Sequence, residues 1–224
     1  MEMRRRALMA HCSVLGLSLL LAQTATAQAG SPAAKARGSS VKLVLVLGDS
    51  LSAEYGIGRG EGWVALLEQR LAQTHRGVGV VNASISGDTT SGGRSRLPAL
   101  LEKYRPGHVL IELGGNDALR GLPLSMTRNN LLAMLRECRG ASAKPIIVGM
   151  RVPPNYGRQY ADDFAALFAQ LAKAESVPLV PFLLQGIADR KDAQDWFQPD
   201  RIHPLAKAHP QMLDNVWKVL DKAL

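Results

Sequence analysis

The chain has 224 residues, enough for one domain with a substantial core and tight for two. Its hydrophobic content of 46% excludes a disordered composition, and 5% aromatics argue against a surface built to stack bases or sugars. The net charge of +8 is scattered, with no dense basic run after Arg6, so it reads as a solvated surface with weak attraction to anionic membranes rather than a nucleic-acid partner.

Arg4, Arg5 and Arg6 precede an apolar run, Ala7 to Ala22, and then the small residues of "TATAQAG". This is the pattern of a secretory signal peptide over residues 1–27, cut after Ala27 or Ala29. The run is short for a membrane span and contains His11, and Cys12 comes too early for a lipid anchor. Export would place the mature protein in the periplasm or outside the cell, with net charge +6. Cys138 would then be the only cysteine, so the mature monomer has no internal disulfide. Residues 28–40, small and polar, read as a flexible lead-in, and 41–224 as one domain. A monomer is expected.

Val41–Leu47 is a β-branched and Leu-rich run that reads as the first strand, and it stops at Gly48-Asp49-Ser50. A helix is predicted over Gly62–Thr74, where Trp63, Leu66, Leu67 and Leu71 recur at helical spacing. His75 at its end is expected to cap the last carbonyls. Val78–Val81 is the second strand, followed by the polar island "NASISGDTTSGG" and a helix over Arg94–Tyr104. His108–Leu113 is the third strand, with His108 at the far end from its island, "GGNDALRG". A helix over Met126–Cys138 carries Cys138 as a packed thiol. Pro145–Met150 is the fourth strand, followed by "RVPPNYGRQY" and a helix over Gln159–Ala174 with the stripe Phe164, Leu167, Phe168 and Leu171. Pro178–Pro181 is the fifth strand. Beyond it come "PDRIHP" and a last helical region, Leu205–Ala223, in which His209 reads as packing or surface.

Near-continuous apolar strands alternating with amphipathic helices describe an α/β fold, a three-layer α/β/α sandwich with a parallel sheet. Ligands in such folds bind beyond the carboxyl ends of the strands. Every polar island falls there. A serine hydroxyl is a poor nucleophile without a base and donors for the developing oxyanion. His203 is the one histidine on that rim, and Asp200, three residues earlier, can reach one ring nitrogen while the other faces Ser50. Backbone N–H groups of Ser50 and Gly87, with the neutral amide of Asn116, supply donors. Taken singly, Gly-Asp, Asn-Asp and D-x-x-H are ordinary turns. Their order after successive strands argues for one site. The G-x-S-x-G elbow is absent, since Ser52 stands in its last position, and neither a phosphate loop nor a dinucleotide fingerprint is present.

The set Gly48-Asp49-Ser50-Leu51, Gly87 within "ISGDT", Gly114-Gly115-Asn116-Asp117 and Asp200-x-x-His203 resembles the SGNH, or GDSL, hydrolase family. The likeness is to its bacterial periplasmic branch of acyl-thioesterases, lysophospholipases and arylesterases, and it runs from Val41 to the C-terminal helix. The resemblance implies a flavodoxin-like sheet of five parallel strands and no metal or other cofactor. It implies Ser50 as nucleophile, His203 as base, Asp200 as its partner, and Ser50, Gly87 and Asn116 as the oxyanion hole. Leu119, Leu122, Pro153, Pro154 and Tyr156 are expected to line an acyl groove, favouring a small-molecule or lipid acyl substrate. The double proline departs from the branch pattern and bears on chain-length preference. The rival readings are a carbohydrate acetyl-esterase of the same fold and a non-catalytic envelope binding protein.

Overall fold

The computed structural model describes residues 42–152 and 156–224. Five strands, β1 (Lys42–Gly48), β2 (Val78–Asn82), β3 (His108–Glu112), β4 (Lys144–Val148) and β5 (Leu179–Val180), form one parallel sheet in the order β2-β1-β3-β4-β5. The expected α/β sandwich and its flavodoxin-like strand order are present. The helices are α1 (Trp63–Thr74), α2 (Thr90–Tyr104), α3 (Gly115–Leu119), α4 (Leu124–Gly140), α5 (Arg158–Ala174) and α6 (His209–Leu220).

Strand periodicity divides the core in two. Leu45, Leu47, Val109 and Ile111 face a layer built from α2, α4 and α5, while Val44, Val46 and Leu110 face α1 and α6. The predicted stripes meet these layers: Trp63, Leu67 and Leu71 on one side, Phe164, Leu167, Phe168 and Leu171 on the other, are all buried. Each such side chain stabilises the fold by roughly 1.5–3 kcal/mol. Cys138 is fully buried, and burial pushes its thiol up to about 12, so it stays protonated.

Several boundaries differ from expectation for identifiable reasons. Helix α2 begins at Thr90, four residues early, because Thr89 caps it by accepting the Gly92 N–H. Glycine's low helix propensity hid that turn. The short α3 was expected as loop. The last region divides into a 3-10 turn, Ala206–Ala208, and α6, whose first turn holds Pro210, a residue with no N–H to donate backwards.

The histidines away from the rim are also accounted for. His108 is buried at the amino end of β3 and bonds the Ala223 carbonyl at 2.9 Å. At the end of α1 His75 is the capping residue, its backbone N–H donating to the Leu71 carbonyl, while the ring contacts Thr74 and packs edge-on to Trp217. His209 is buried, and its Nδ1 accepts the Trp63 N–H at 3.0 Å. It thus caps α1 from a distance, where the N-cap residue Gly62 has no side chain to do so.

Among the described residues no helix is long and apolar enough to cross a membrane. The segment read as an export signal, the lead-in, Pro153 and Pro154 lie outside the described residues.

Candidate active site

The strand order reverses direction between β1 and β3, and the loops after β1, β2 and β3 are therefore neighbours at one edge. Ser50 stands in the turn after β1, half-buried. Its Oγ lies 2.9 Å from His203 Nε2, and His203 Nδ1 lies 2.6 Å from Asp200 Oδ2. With the Nδ1 proton donated to Asp200, Nε2 is left to accept the Ser50 hydroxyl.

The spacing of Asp200 and His203 works through an Asx-type turn. Asp200 Oδ1 accepts the N–H groups of Ile202 at 2.9 Å and His203 at 3.0 Å, which frees Oδ2 for the ring. Partial burial pushes the Asp200 carboxyl up, but the bonds from the His203 side chain and backbone and from Ile202 outweigh it and hold it at about 2. The loop itself is pinned. Phe197 and Pro204 pair as an antiparallel bridge, Gln198 N–H donates to the His203 carbonyl at 2.8 Å, and Gln198 Nε2 donates to the Tyr55 carbonyl at 2.8 Å. The Tyr55 ring lies against His203, centroids 4.3 Å apart.

The three expected oxyanion donors come from the turns after β1 and β2 and from the first turn of α3, after β3. Among the described residues the N–H groups of Ser50 and Gly87 donate no hydrogen bond, which leaves both available to a ligand. Gly87 has φ +79°, a conformation open to glycine and costly for other residues. Its peptide is held on both sides: Arg120 donates to the Gly87 carbonyl at 2.7 Å, and Arg96 pairs with Asp88 at 2.9 Å. Arg96 also donates to the carbonyls of Ala83 and Gly48, so one guanidinium from α2 ties the end of β1 to the glycine loop. Asn116 Nδ2 donates one proton to Asp49 Oδ2 at 3.0 Å, leaving its second N–H free for a substrate oxygen. Its neighbour Asp117 is buried and accepts from Thr90 and Thr127, fixing α3 against α2 and α4.

The arrangement can take a proton from a hydroxyl, hold the resulting imidazolium against a carboxylate, and stabilise an oxyanion. That is the chemistry of acyl transfer. Residues 46–210 match the GDSL-like Lipase/Acylhydrolase family. The chain belongs to that family. It is 45% identical over 186 residues to Esterase TesA of Pseudomonas aeruginosa, covering 83% of this chain and 91% of the relative. It is 42% identical over 184 residues to Thioesterase 1/protease 1/lysophospholipase L1 of Escherichia coli, covering 82% and 86%. The crystal structure of the psychrotrophic esterase EstA from Pseudoalteromonas sp., inhibited by monoethylphosphonate, superposes with a TM-score of 0.75 at 40% identity, covering 81% of this chain and 97% of that one. This GDSL hydrolase is accordingly an acyl ester hydrolase of the serine type.

Of the expected groove residues, Leu119 and Tyr156 are exposed and Leu122 is half-buried, while Pro153 and Pro154 are outside the described residues. Sequence reasoning missed Tyr55, Gln198 and Arg96, which position the GDSL hydrolase site. It also missed the buried Glu112, whose Oε2 accepts from Ser52 at 2.6 Å and from the Asp49 N–H at 3.2 Å. An acid inside the apolar run "HVLIELGG" was the available signal for the last.

Proposed function

We propose that the protein is an exported esterase or thioesterase that acts through a Ser50–His203–Asp200 triad and an acyl-enzyme. The observation that carries this is the bonded chain Ser50 Oγ to His203 Nε2 at 2.9 Å and His203 Nδ1 to Asp200 at 2.6 Å. Ser50 attacks the acyl carbonyl while His203 takes its proton. The Asp200 carboxylate stabilises the imidazolium, and the N–H groups of Ser50, Gly87 and Asn116 receive the oxyanion. His203 then protonates the departing alcohol or thiol. Water, deprotonated by the same imidazole, releases the acid.

Among the described residues the exposed large apolar side chains are Tyr55, Ile85, Leu119, Tyr156 and Ile202, and all five fall in the connections that follow the carboxyl ends of the strands, Leu119 at the end of α3. An apolar rim supports fatty acyl substrates over acetylated sugars. Names of relatives such as thioesterase and lysophospholipase agree with this class. The charged and apolar pattern of residues 1–27 supports export. Replacement Ser50→Ala should lower p-nitrophenyl ester hydrolysis by about 10⁴-fold or more. Full activity in that variant would end the proposal. An ester series of rising acyl length, with an acyl-CoA, a lysophospholipid and an acetylated sugar, should show kcat/KM rising with chain length and weakest on the sugar.

A further inference from the structure

Glu112 ends β3 with no exposed surface, and the reaction above gives it no task. Its Oε2 accepts two hydrogen bonds, from the Ser52 hydroxyl at 2.6 Å and the Asp49 N–H at 3.2 Å. Ser52 Oγ accepts the Trp63 indole N–H at 3.2 Å, so its single proton is committed to Glu112. Gly48 makes room for this contact. A Cβ there would stand 2.7 Å from Glu112 Oε2 and 2.8 Å from both Ser52 Oγ and Ser84 Oγ. Glu112 Oε1 is buried and has no partner among the described residues. No cation or second donor reaches the group there, and a buried carboxylate so placed costs more than a neutral carboxyl, whose unpaired O–H is the smaller penalty.

The neighbouring acid is arranged differently. Asp49 is 2% exposed, but each of its oxygens accepts a bond, Oδ1 from the Leu51 N–H at 3.0 Å and Oδ2 from Asn116 at 3.0 Å. Asp49 thus has a neutral donor on each oxygen, an arrangement an ionised carboxylate accepts with no proton of its own. Burial pushes Asp49 up to about 6, and the Leu51 and Asn116 bonds oppose that rise. Burial, and then the charge of Asp49, push Glu112 well above the carboxylate range. Two adjacent buried carboxyls do not both ionise at neutral pH. The other charged groups facing Asp49 are His203 and Asp88, the latter paired with Arg96.

We propose that Glu112 is a positioning residue of the oxyanion site: it stays neutral, holds the proton of the buried pair, and leaves Asp49 charged to fix the Asn116 amide. This rests on Asn116 being an oxyanion donor. Infrared difference spectra of the full chain, wild type against Glu112→Gln at about pH 8, test the proton directly. A protonated-carboxyl stretch should be present in the wild type and missing from the variant. Glu112→Gln, a neutral acceptor of similar shape, should keep kcat within about threefold and leave the acid limb of the pH profile in place. Glu112→Met, which loses the acceptor, should lower kcat at least about tenfold with KM little changed. Three results would each overturn the proposal: no protonated-carboxyl band, an acid limb moved down by about one pH unit in Glu112→Gln, or wild-type kcat in Glu112→Met. If Glu112→Met does not fold, the band and the glutamine variant still decide. An Asn116→Ala enzyme with undiminished turnover would remove the oxyanion reading and leave the assignment of the proton intact.

Discussion

In the proposed mechanism Asp200 and the Asp49–Glu112 pair both serve Ser50, one from the surface beyond His203 and the other from within the sheet. Asp200 has a side chain 38% exposed; burial pushes its carboxyl up, but three hydrogen bonds together outweigh that and hold it at about 2. Asp49 and Glu112 are almost wholly enclosed, and burial dominates both. The same functional group therefore does two jobs. Where donors and water meet it, it stays charged and can stabilise an imidazolium. Where the sheet encloses it, one member gives up its charge, and the pair becomes a rigid support for an amide.

The largest test of this contrast is Asp200→Asn, which keeps the shape and removes the charge. Turnover on a p-nitrophenyl ester should fall about 10⁴-fold at neutral pH with KM little changed. A loss under about tenfold would mean that the outer carboxylate is only a loop cap. Next comes Asn116→Ala, which removes the amide that the inner cluster holds. It should lower kcat by about 10²–10³-fold, read from saturating initial rates.

The smallest effect, and the one that separates the clusters by sign, is on stability. Asp200 is depressed below its ordinary value of 3.8, so its contribution is present above that pH and fades as pH falls through about 2. Asp49 is raised from 3.8 to about 6, so the folded state binds its proton more tightly than the unfolded chain does. Its contribution is complete below pH 3.8 and is lost as pH rises through about 6. Replacement Asp49→Asn removes that loss. Between about pH 4 and 7.5 the variant should gain on wild type by about 2–3 kcal/mol in urea unfolding, while its activity drops because an amide has one acceptor oxygen for the two donors, the Leu51 N–H and Asn116 Nδ2, that Asp49 now holds. An unchanged difference between the two proteins across that range would show that Asp49 is not strained by its burial.

The outer cluster was legible in the sequence and the inner one was not. Asp200 and His203 are three positions apart and close their own turn, so their spacing, taken with the polar islands that follow the other strands, marks them. The strands were visible because each is an apolar run ending in a polar island, and a parallel sheet delivers such islands to one edge. Glu112 meets Ser52 across 60 positions, and Gln198 meets Tyr55 across 143; no periodicity encodes such contacts. His209 was read as packing or surface because its partner is the backbone N–H of Trp63, and a backbone group leaves no mark on composition. The start of α2 was hidden for the opposite reason: Gly92 and Gly93 are poor helix formers, but a Cβ on Gly93 would stand 2.2 Å from Leu113, so close packing of helix on sheet outweighed propensity.

Ser50 and His203 are separated by 153 positions, one just past the first strand and the other just before the last helix. A ribosome making this chain would hold an inert polypeptide until nearly all of it had emerged, since the chain is synthesised N-terminus first at about 5–20 residues per second and a domain folds as a unit. Hydrolysis would switch on abruptly as the final segment docks. Its onset during refolding would thus report completion of the whole sheet, and a nascent fragment ending before position 203 could not attack an ester by this route, however well its first strands had paired.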